Sequence, residues 1–218
     1  KAGTQPGAAQ RWLMRQEDRA DWAYAPRWSP RYADCSLDVT GGLSDLRPQN
    51  WLIFEDTHGH GAALTAKLRQ AGQRVTTVRP GDGFAKVSDG YLLAPEHGRV
   101  GYDRLMQDLS AQDRMPDRIV HLWLLTEDER CRPGSSFFHR NMEYGFYALL
   151  YLSQAMSEQG LSDLHMTVVT SDAMQQRDER LRYPEKATVL GPVQVIPREF
   201  PGVTCAVLDL QAAQGKPG

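Results

Sequence analysis

The sequence predicts an α/β domain with a mainly parallel sheet, because short apolar strands alternate with helical segments through the middle of the chain. Three mainly apolar runs predict core strands, and the first of them is of the kind found in a buried parallel sheet. They are Trp51–Glu55, Arg118–Leu125 and Leu164–Val169. Alternation of strands and helices implies βαβ units with right-handed crossovers. The predicted fold is therefore a truncated Rossmann-like parallel sheet flanked by helices, with an N-terminal edge strand.

The other elements are placed by periodicity and by glycine and proline. Asp21–Tyr32 alternates aromatic residues around two prolines, which predicts the N-terminal edge strand. Apolar residues four positions apart predict helices over 62–71, 102–112 and 138–159. Further strands are predicted over 74–78 and 91–93, and a last strand-like stretch over 193–196 and 203–210.

The polar, small-residue ends of the chain predict three regions. We expect residues 1–20 to be a linker, 21–210 to be one Rossmann-like domain and 211–218 to be a linker or tail. A chain of 218 residues is long enough to bury a hydrophobic core without disulfides or metals.

Charge and cysteine content narrow the partners and the compartment. The net charge is −2, which argues against a nucleic-acid partner or an anionic membrane surface. No apolar run approaches the roughly 18 to 20 residues that span a bilayer. The three cysteines, Cys35, Cys131 and Cys205, are far apart and form no C-x-x-C pair, which favours free thiols in a reducing compartment. We therefore expect a cytoplasmic protein.

A glycine-containing loop follows the first buried strand, where a Rossmann fold places its phosphate loop. The segment from Gly59 to Leu64 reads GHGAAL, which lacks the third glycine of G-x-G-x-x-G. Glu55 and Asp56 would place negative charge beside a phosphate, which is unfavourable. The sequence favours a degraded loop in which Gly59 and Gly61 serve helix–strand packing, and no cofactor is predicted in this chain.

Arg79 is the one further candidate for cofactor contact. It ends the second predicted strand, where a basic residue could meet the 2′-phosphate of NADP. The alternative, an exposed arginine beside a proline turn, is favoured.

No catalytic residue is predicted. Short-chain reductases use Tyr-x-x-x-Lys on one helical turn, whereas Tyr183 and Lys186 are three residues apart with a proline directly after the tyrosine. Tyr-x-x-x-Asn is absent, as are a G-x-S-x-G elbow, a Walker A loop and an H-E-x-x-H helix.

No metal site is predicted either. His58 and His60 flank a glycine turn next to Asp56, but the spacing supplies no third ligand. His121 lies inside a strand and is predicted to be a core or strand-end histidine with satisfied hydrogen bonds.

Five segments, in the same order, resemble the structural subdomain of a modular polyketide synthase ketoreductase. They are DWAYAPRW, WLIFEDTHGHGAALTAKLRQAGQRVTTVRPG, PDRIVHLWLLT, FHRNMEYGFYALLYLSQAM and KATVLGPVQVIPREFPGVTCAVLDL, which together span about Asp21 to Leu210. The resemblance implies a half that binds no NADPH and supports a second, catalytic half that does. The family's catalytic residues have no counterparts here to be carried over.

The implied role is a scaffold in polyketide biosynthesis. Its partners would be other synthase domains: the catalytic half, or a methyltransferase or dehydratase beside a pseudo-ketoreductase, with an acyl carrier protein as an indirect partner. Two alternatives stay open, namely a self-sufficient NADP-binding short-chain oxidoreductase of unusual sequence and a regulatory or docking module.

Overall fold

The computed structural model describes residues 47–126, 135–160, 163–175, 181 and 183–210. The predicted linker 1–20, the predicted edge strand 21–32, Cys35, Cys131 and the tail 211–218 lie outside these residues.

The described residues contain a seven-stranded sheet in the order β3-β4-β2-β1-β5-β6-β7. All neighbouring strands are parallel except β3 and β4. The strands are β1 (Asn50–Phe54), β2 (Arg74–Pro80), β3 (Ala85–Val87), β4 (Gly90–Leu93), β5 (Arg118–Leu124), β6 (Leu164–Ser171) and β7 (Val203–Leu210). The predicted parallel, Rossmann-like sheet flanked by helices is confirmed.

Helices connect the parallel strands. They are α1 (His60–Gln70), α2 (Val100–Ala111), α3 (Ser135–Met142), α4 (Ala148–Glu158) and α5 (Leu190–Glu199), with short 3-10 segments at Pro95–His97 and Pro184–Val189. Apolar side chains of α2, α4 and α5 share one core with Leu52, Phe54 and Trp123 of the sheet. A smaller core holds Leu68 of α1 with Ile53 of the sheet. The sheet is therefore covered by helices on both faces.

The predicted helix over 138–159 is divided by a π-helix, Glu143–Tyr147, between α3 and α4. Gly145 lies at the centre of this turn, and a Cβ there would come within 2.7 Å of the Leu124 side chain and 3.0 Å of Val189. Helical periodicity does not reveal the interruption, because the close contact comes from residues distant in sequence.

The strand predicted over 193–196 is wrong, because these residues lie in helix α5. Strands β6 and β7 are parallel, so the chain must cross over between them, and a helix is the usual connection. Pro192 lies in the first turn of α5, where a missing N–H costs little. Val193 and Ile196 are three positions apart and both buried, which is helical spacing.

Strand β3 escaped the sequence analysis. It pairs antiparallel with β4 as a hairpin at the edge of the described sheet. At the start of β4, a Cβ on Gly90 would lie 2.1 Å from the Thr77 carbonyl oxygen, so only glycine lets β4 pair this closely with β2.

The strand order reverses direction at β1, whose neighbours are β2 on one side and β5 on the other. Ligands of open α/β sheets bind outside the carboxyl ends of the strands at such a switch point. We call the side of the sheet where the parallel strands end the carboxyl edge, and the opposite side the amino edge.

Candidate functional site at the carboxyl edge

The loop between β1 and α1 has the backbone of a phosphate loop. Gly59 is the N-cap of α1 and has φ +94°, the left-handed conformation that glycine adopts without strain. Backbone N–H groups at a helix N-terminus point outward and, with the helix dipole, form a site for an anion. The predicted glycine loop therefore lies between β1 and α1.

The anion in this loop is the protein's own Asp56. Its carboxylate accepts hydrogen bonds from the backbone N–H groups of His58 at 3.0 Å, His60 at 3.3 Å and Gly61 at 2.6 Å. These are the donors that would otherwise face a bound phosphate. Sequence analysis treated Asp56 as a charge near the loop, whereas the structure places its carboxylate inside it.

Gly61 lies against the end of β1. A Cβ at this position would lie 2.9 Å from the Glu55 Cα and 3.1 Å from its Cβ. Glu55 is buried, and its carboxylate accepts a hydrogen bond from the Thr65 hydroxyl at 3.1 Å. The absent side chain of Gly61 therefore lets the first turn of α1 pack onto this loop.

The other sequence candidates, Arg79, His58 and His60, do not complete a site. The Arg79 guanidinium pairs with the Asp89 carboxylate at 3.0 Å, and both side chains are about half exposed. His58 and His60 are exposed. Across the described residues, no group of three histidine, cysteine, aspartate or glutamate side chains is placed to hold a metal ion.

A second polar cluster lies at the carboxyl ends of β5 and β6. The Lys186 side chain is 1% exposed, and its ammonium donates to the Thr126 hydroxyl at 2.8 Å, the Ser171 carbonyl at 2.9 Å and the Ser171 hydroxyl at 3.2 Å. Its Nζ also lies 4.6 Å from the centroid of the buried Tyr183 ring. The structure therefore gathers a serine, a tyrosine and a lysine in one place.

The sequence does not predict this cluster, because Tyr183 and Lys186 lack the helical spacing of Tyr-x-x-x-Lys. In the structure both residues lie at a 3-10 segment rather than on a long helix. Three acceptors match the three N–H donors of the lysine, so the amine is directed inward. Its geometry fits a staple that holds the ends of β5 and β6 together.

His121 corrects the prediction of a satisfied core histidine. The side chain is fully buried, and among the residues that the structure describes neither ring nitrogen has a hydrogen-bond partner. Its ring lies among aromatic side chains, 4.9 Å from Phe54 and 5.2 Å from Trp123 between centroids. Burial lowers its pKa to about 3, so the imidazole is neutral near pH 7.

Cys205 is half-buried, and burial raises the pKa of its thiol to about 11. The group is a thiol rather than a thiolate at neutral pH, which leaves it a poor nucleophile.

The family follows from the sequence of residues 49–216. These residues match the family described as beta-ketoacyl synthase-like, N-terminal, over more than half of the chain. The chain belongs to this family. The family description is coarser than the resemblance found from the five segments.

Solved structures agree on the fold. The chain is similar to the adenylation, ketoreductase and pseudo Asub multidomain structure of a keto acid-selecting NRPS module, with TM-score 0.75 and 23% identity over 88% of this chain and 15% of that one. An N-terminal ketoreductase from the macrolactin assembly line gives TM-score 0.60 and 16% identity over 76% and 32% of the two chains. A short-chain dehydrogenase from Streptomyces avermitilis gives 0.51 and 15% over 77% and 66%.

These similarities establish a ketoreductase-like, short-chain-dehydrogenase-like fold. The chain spans less than a third of the two assembly-line structures. No curated protein matches the sequence. Among the described residues, no helix combines the length and apolar character needed to cross a membrane.

Proposed function

We propose that the chain is a non-catalytic, ketoreductase-like scaffold of a polyketide or mixed polyketide–peptide assembly line. The observation that carries the proposal is that the Asp56 carboxylate accepts hydrogen bonds from backbone N–H groups at and just before the N-terminus of α1. A pyrophosphate would need the same donors and would be repelled by the carboxylate.

The Lys186 cluster supports the same proposal. A reductase of this fold needs a lysine that reaches the cofactor, whereas this ammonium donates to Thr126 and to Ser171. Reaching a ligand would break those buried hydrogen bonds, and leaving such groups unpaired costs free energy.

The proposed role is therefore to hold neighbouring domains rather than to turn over substrate. Its partner would be a ketoreductase catalytic half that carries NADPH for β-ketoacyl reduction. In a pseudo-ketoreductase the partner would instead be another tailoring domain, such as a methyltransferase or a dehydratase. Such a synthase would act in the cytoplasm.

A titration of the chain with NADPH, followed by calorimetry and nucleotide fluorescence, tests the missing cofactor site. We expect no saturable binding in the concentration range where an intact short-chain dehydrogenase, run as the positive control, is saturated. Saturable micromolar binding that shifts the backbone amides of residues 57–61 would favour the self-sufficient oxidoreductase and overturn the proposal.

A pair of variants sharpens this titration. Asp56→Ala removes the carboxylate from the N-terminus of α1 and should raise the affinity of this loop for pyrophosphate by about tenfold. Asp82→Ala removes one negative charge from an exposed turn and serves as the matched control. Equal responses of the two variants would show that Asp56 does not block the loop.

The scaffold role needs a separate measurement. Co-expression of the full chain with a ketoreductase catalytic half should raise the soluble yield and the NADPH-dependent turnover of that half. A catalytic half that neither binds the chain nor gains activity would favour the docking-module alternative.

A further inference from the structure

We propose that a cavity at the amino edge of the sheet binds the phosphate group of a small molecule. The cavity has a volume of about 210 Å³. It opens between the β3–β4 hairpin, the start of β2 and the residues that follow α2, far along the strands from the Asp56 loop. We call it the amino-edge cavity. Its polar lining includes Arg69, Lys86, Ser88, Asp89, Gln112 and Arg114.

Positive charge dominates this cavity. Arg69, Lys86 and Arg114 line it, and Asp89 is the one acidic side chain among its lining residues. Asp89 is already paired with Arg79, which lies outside the lining, at 3.0 Å. Its negative charge is therefore compensated from outside the cavity.

The Lys86 ammonium is not available to a ligand, because it already has a partner. Its ammonium pairs with the Asp108 carboxylate at 3.1 Å, and Asp108 also accepts hydrogen bonds from the Tyr91 hydroxyl and from Gln112. These contacts already engage the side chains of Lys86 and Gln112, two of the lining residues.

The two arginines are the groups left for a ligand. The Arg69 guanidinium makes one long hydrogen bond, 3.5 Å to the Val75 carbonyl oxygen. Within the described part of the chain, no hydrogen bond or ion pair engages the half-buried Arg114 guanidinium. The exposed residue Ser88 also lines the cavity, and its hydroxyl is a further donor.

Two guanidinium groups with unused donors suit a phosphate, whose several oxygens can accept hydrogen bonds from both. Each guanidinium is planar and presents a fork of N–H donors that fits two phosphate oxygens at once. The volume exceeds that of a phosphate alone, so part of the molecule that carries it would enter the cavity as well.

A structural explanation competes with this proposal and must be separated from it. Arg69 lies in the last turn of α1, and Arg114 lies just beyond the end of α2. Cations at helix C-termini stabilise a helix without any ligand. The two explanations predict different effects on binding and on unfolding.

Calorimetric titration and amide NMR of the full chain with inorganic phosphate and with pyrophosphate test the proposal. We expect saturable binding that weakens as sodium chloride is added, with shifts at the amides of residues 86–91. Shifts confined to residues 57–61 would place the ligand at the Asp56 loop. They would overturn this proposal and also the proposal that Asp56 blocks that loop.

Substitutions identify the groups responsible. Arg114→Gln and Arg69→Gln should each weaken phosphate binding by about tenfold, because each removes a charge-assisted hydrogen bond. Arg104→Gln removes the same charge from an exposed position of α2 outside the cavity, and should change binding by less than about twofold.

Three further results would overturn the proposal. They are no saturable binding in wild type, an equal loss in Arg104→Gln, or a lower unfolding temperature in Arg114→Gln with unchanged phosphate affinity. The last result would assign the arginines to helix stabilisation. Because NADPH carries phosphates, any NADPH binding that Arg114→Gln removes belongs to this cavity and leaves the proposed function standing.

Discussion

The two edges of the sheet differ in how their polar groups are satisfied. At the carboxyl edge, where this fold usually binds its cofactor, polar side chains bond to the chain's own backbone. The Asp56 carboxylate accepts hydrogen bonds from backbone N–H groups of the β1–α1 loop. The Asp209 carboxylate accepts hydrogen bonds from the backbone N–H groups of Ala173 and Met174 after β6. At the amino edge, Arg69 and Arg114 face a cavity with donors to spare.

In the proposed scaffold, the fold keeps the backbone geometry of a binding site, but the N–H donors of that site are already hydrogen-bonded. The α1 N-terminus retains its left-handed glycine and its outward N–H groups. In the proposed scaffold, the Asp56 carboxylate occupies the N–H donors of that site. A ligand would then find more unused donors at the edge that the fold does not usually use.

Replacing Lys186 should have the largest effect on the carboxyl edge. Lys186→Ala empties a buried site and leaves the Ser171 carbonyl without the amine, so unfolding should become easier by about 3 kcal/mol. Lys67→Ala, on the exposed face of α1, should change the free energy of unfolding by less than about 0.5 kcal/mol. Urea unfolding measures both.

Lys186→Met separates the amine from its apolar stem, because methionine keeps much of the packing and removes the hydrogen bonds. We expect a loss between those of the alanine variant and wild type. Wild-type stability in Lys186→Met would mean that the hydrogen bonds to Thr126 and Ser171 do not hold this edge together.

His121, buried in the sheet between the two edges, should make the stability depend on pH. Its pKa is lowered to about 3 in the folded protein, whereas the unfolded chain protonates histidine near 6.5. The unfolded state therefore binds more protons between these values, so stability is lost as the pH falls from 6.5 towards 3. The expected loss from this group is about 2 kcal/mol between pH 7 and pH 5.

His121→Phe keeps an aromatic ring and removes the titration. Denaturant unfolding at several pH values should give a shallower pH dependence for this variant than for wild type. Identical slopes would show that the imidazole finds a partner or water when it is protonated.

Gly61→Ala should have a smaller effect on the Asp56 loop. The new Cβ would meet the Glu55 backbone at 2.9 Å, which outweighs the better helix propensity of alanine and should cost about 1 to 2 kcal/mol. Gly191→Ala in α5 is the matched control, because its Cβ would lie 3.9 Å from Phe146. Thermal unfolding compares them, and a stabilised Gly61→Ala protein would remove the packing role of Gly61.

The segments predicted most accurately are those whose pattern is complete within themselves. The buried strands at Trp51–Glu55 and Arg118–Leu125 match β1 and β5 within one residue, since an apolar run bounded by turns leaves little choice. The prediction for residues 193–196 was wrong because Val193, Val195 and Ile196 are β-branched, and such residues favour a strand when judged locally. There, the parallel pairing of β6 with β7 decided in favour of a helix.

Sequence alone determined the order of most strands and helices, the position of the glycine loop and the absence of a Tyr-x-x-x-Lys pair. Each of these depends on residues close together in the chain. Tertiary structure decided that the Asp56 carboxylate enters the loop, that Lys186 reaches Thr126 sixty residues away, and that Arg69 and Arg114 line one cavity. These contacts join separate elements, and no local pattern encodes which polar group meets which.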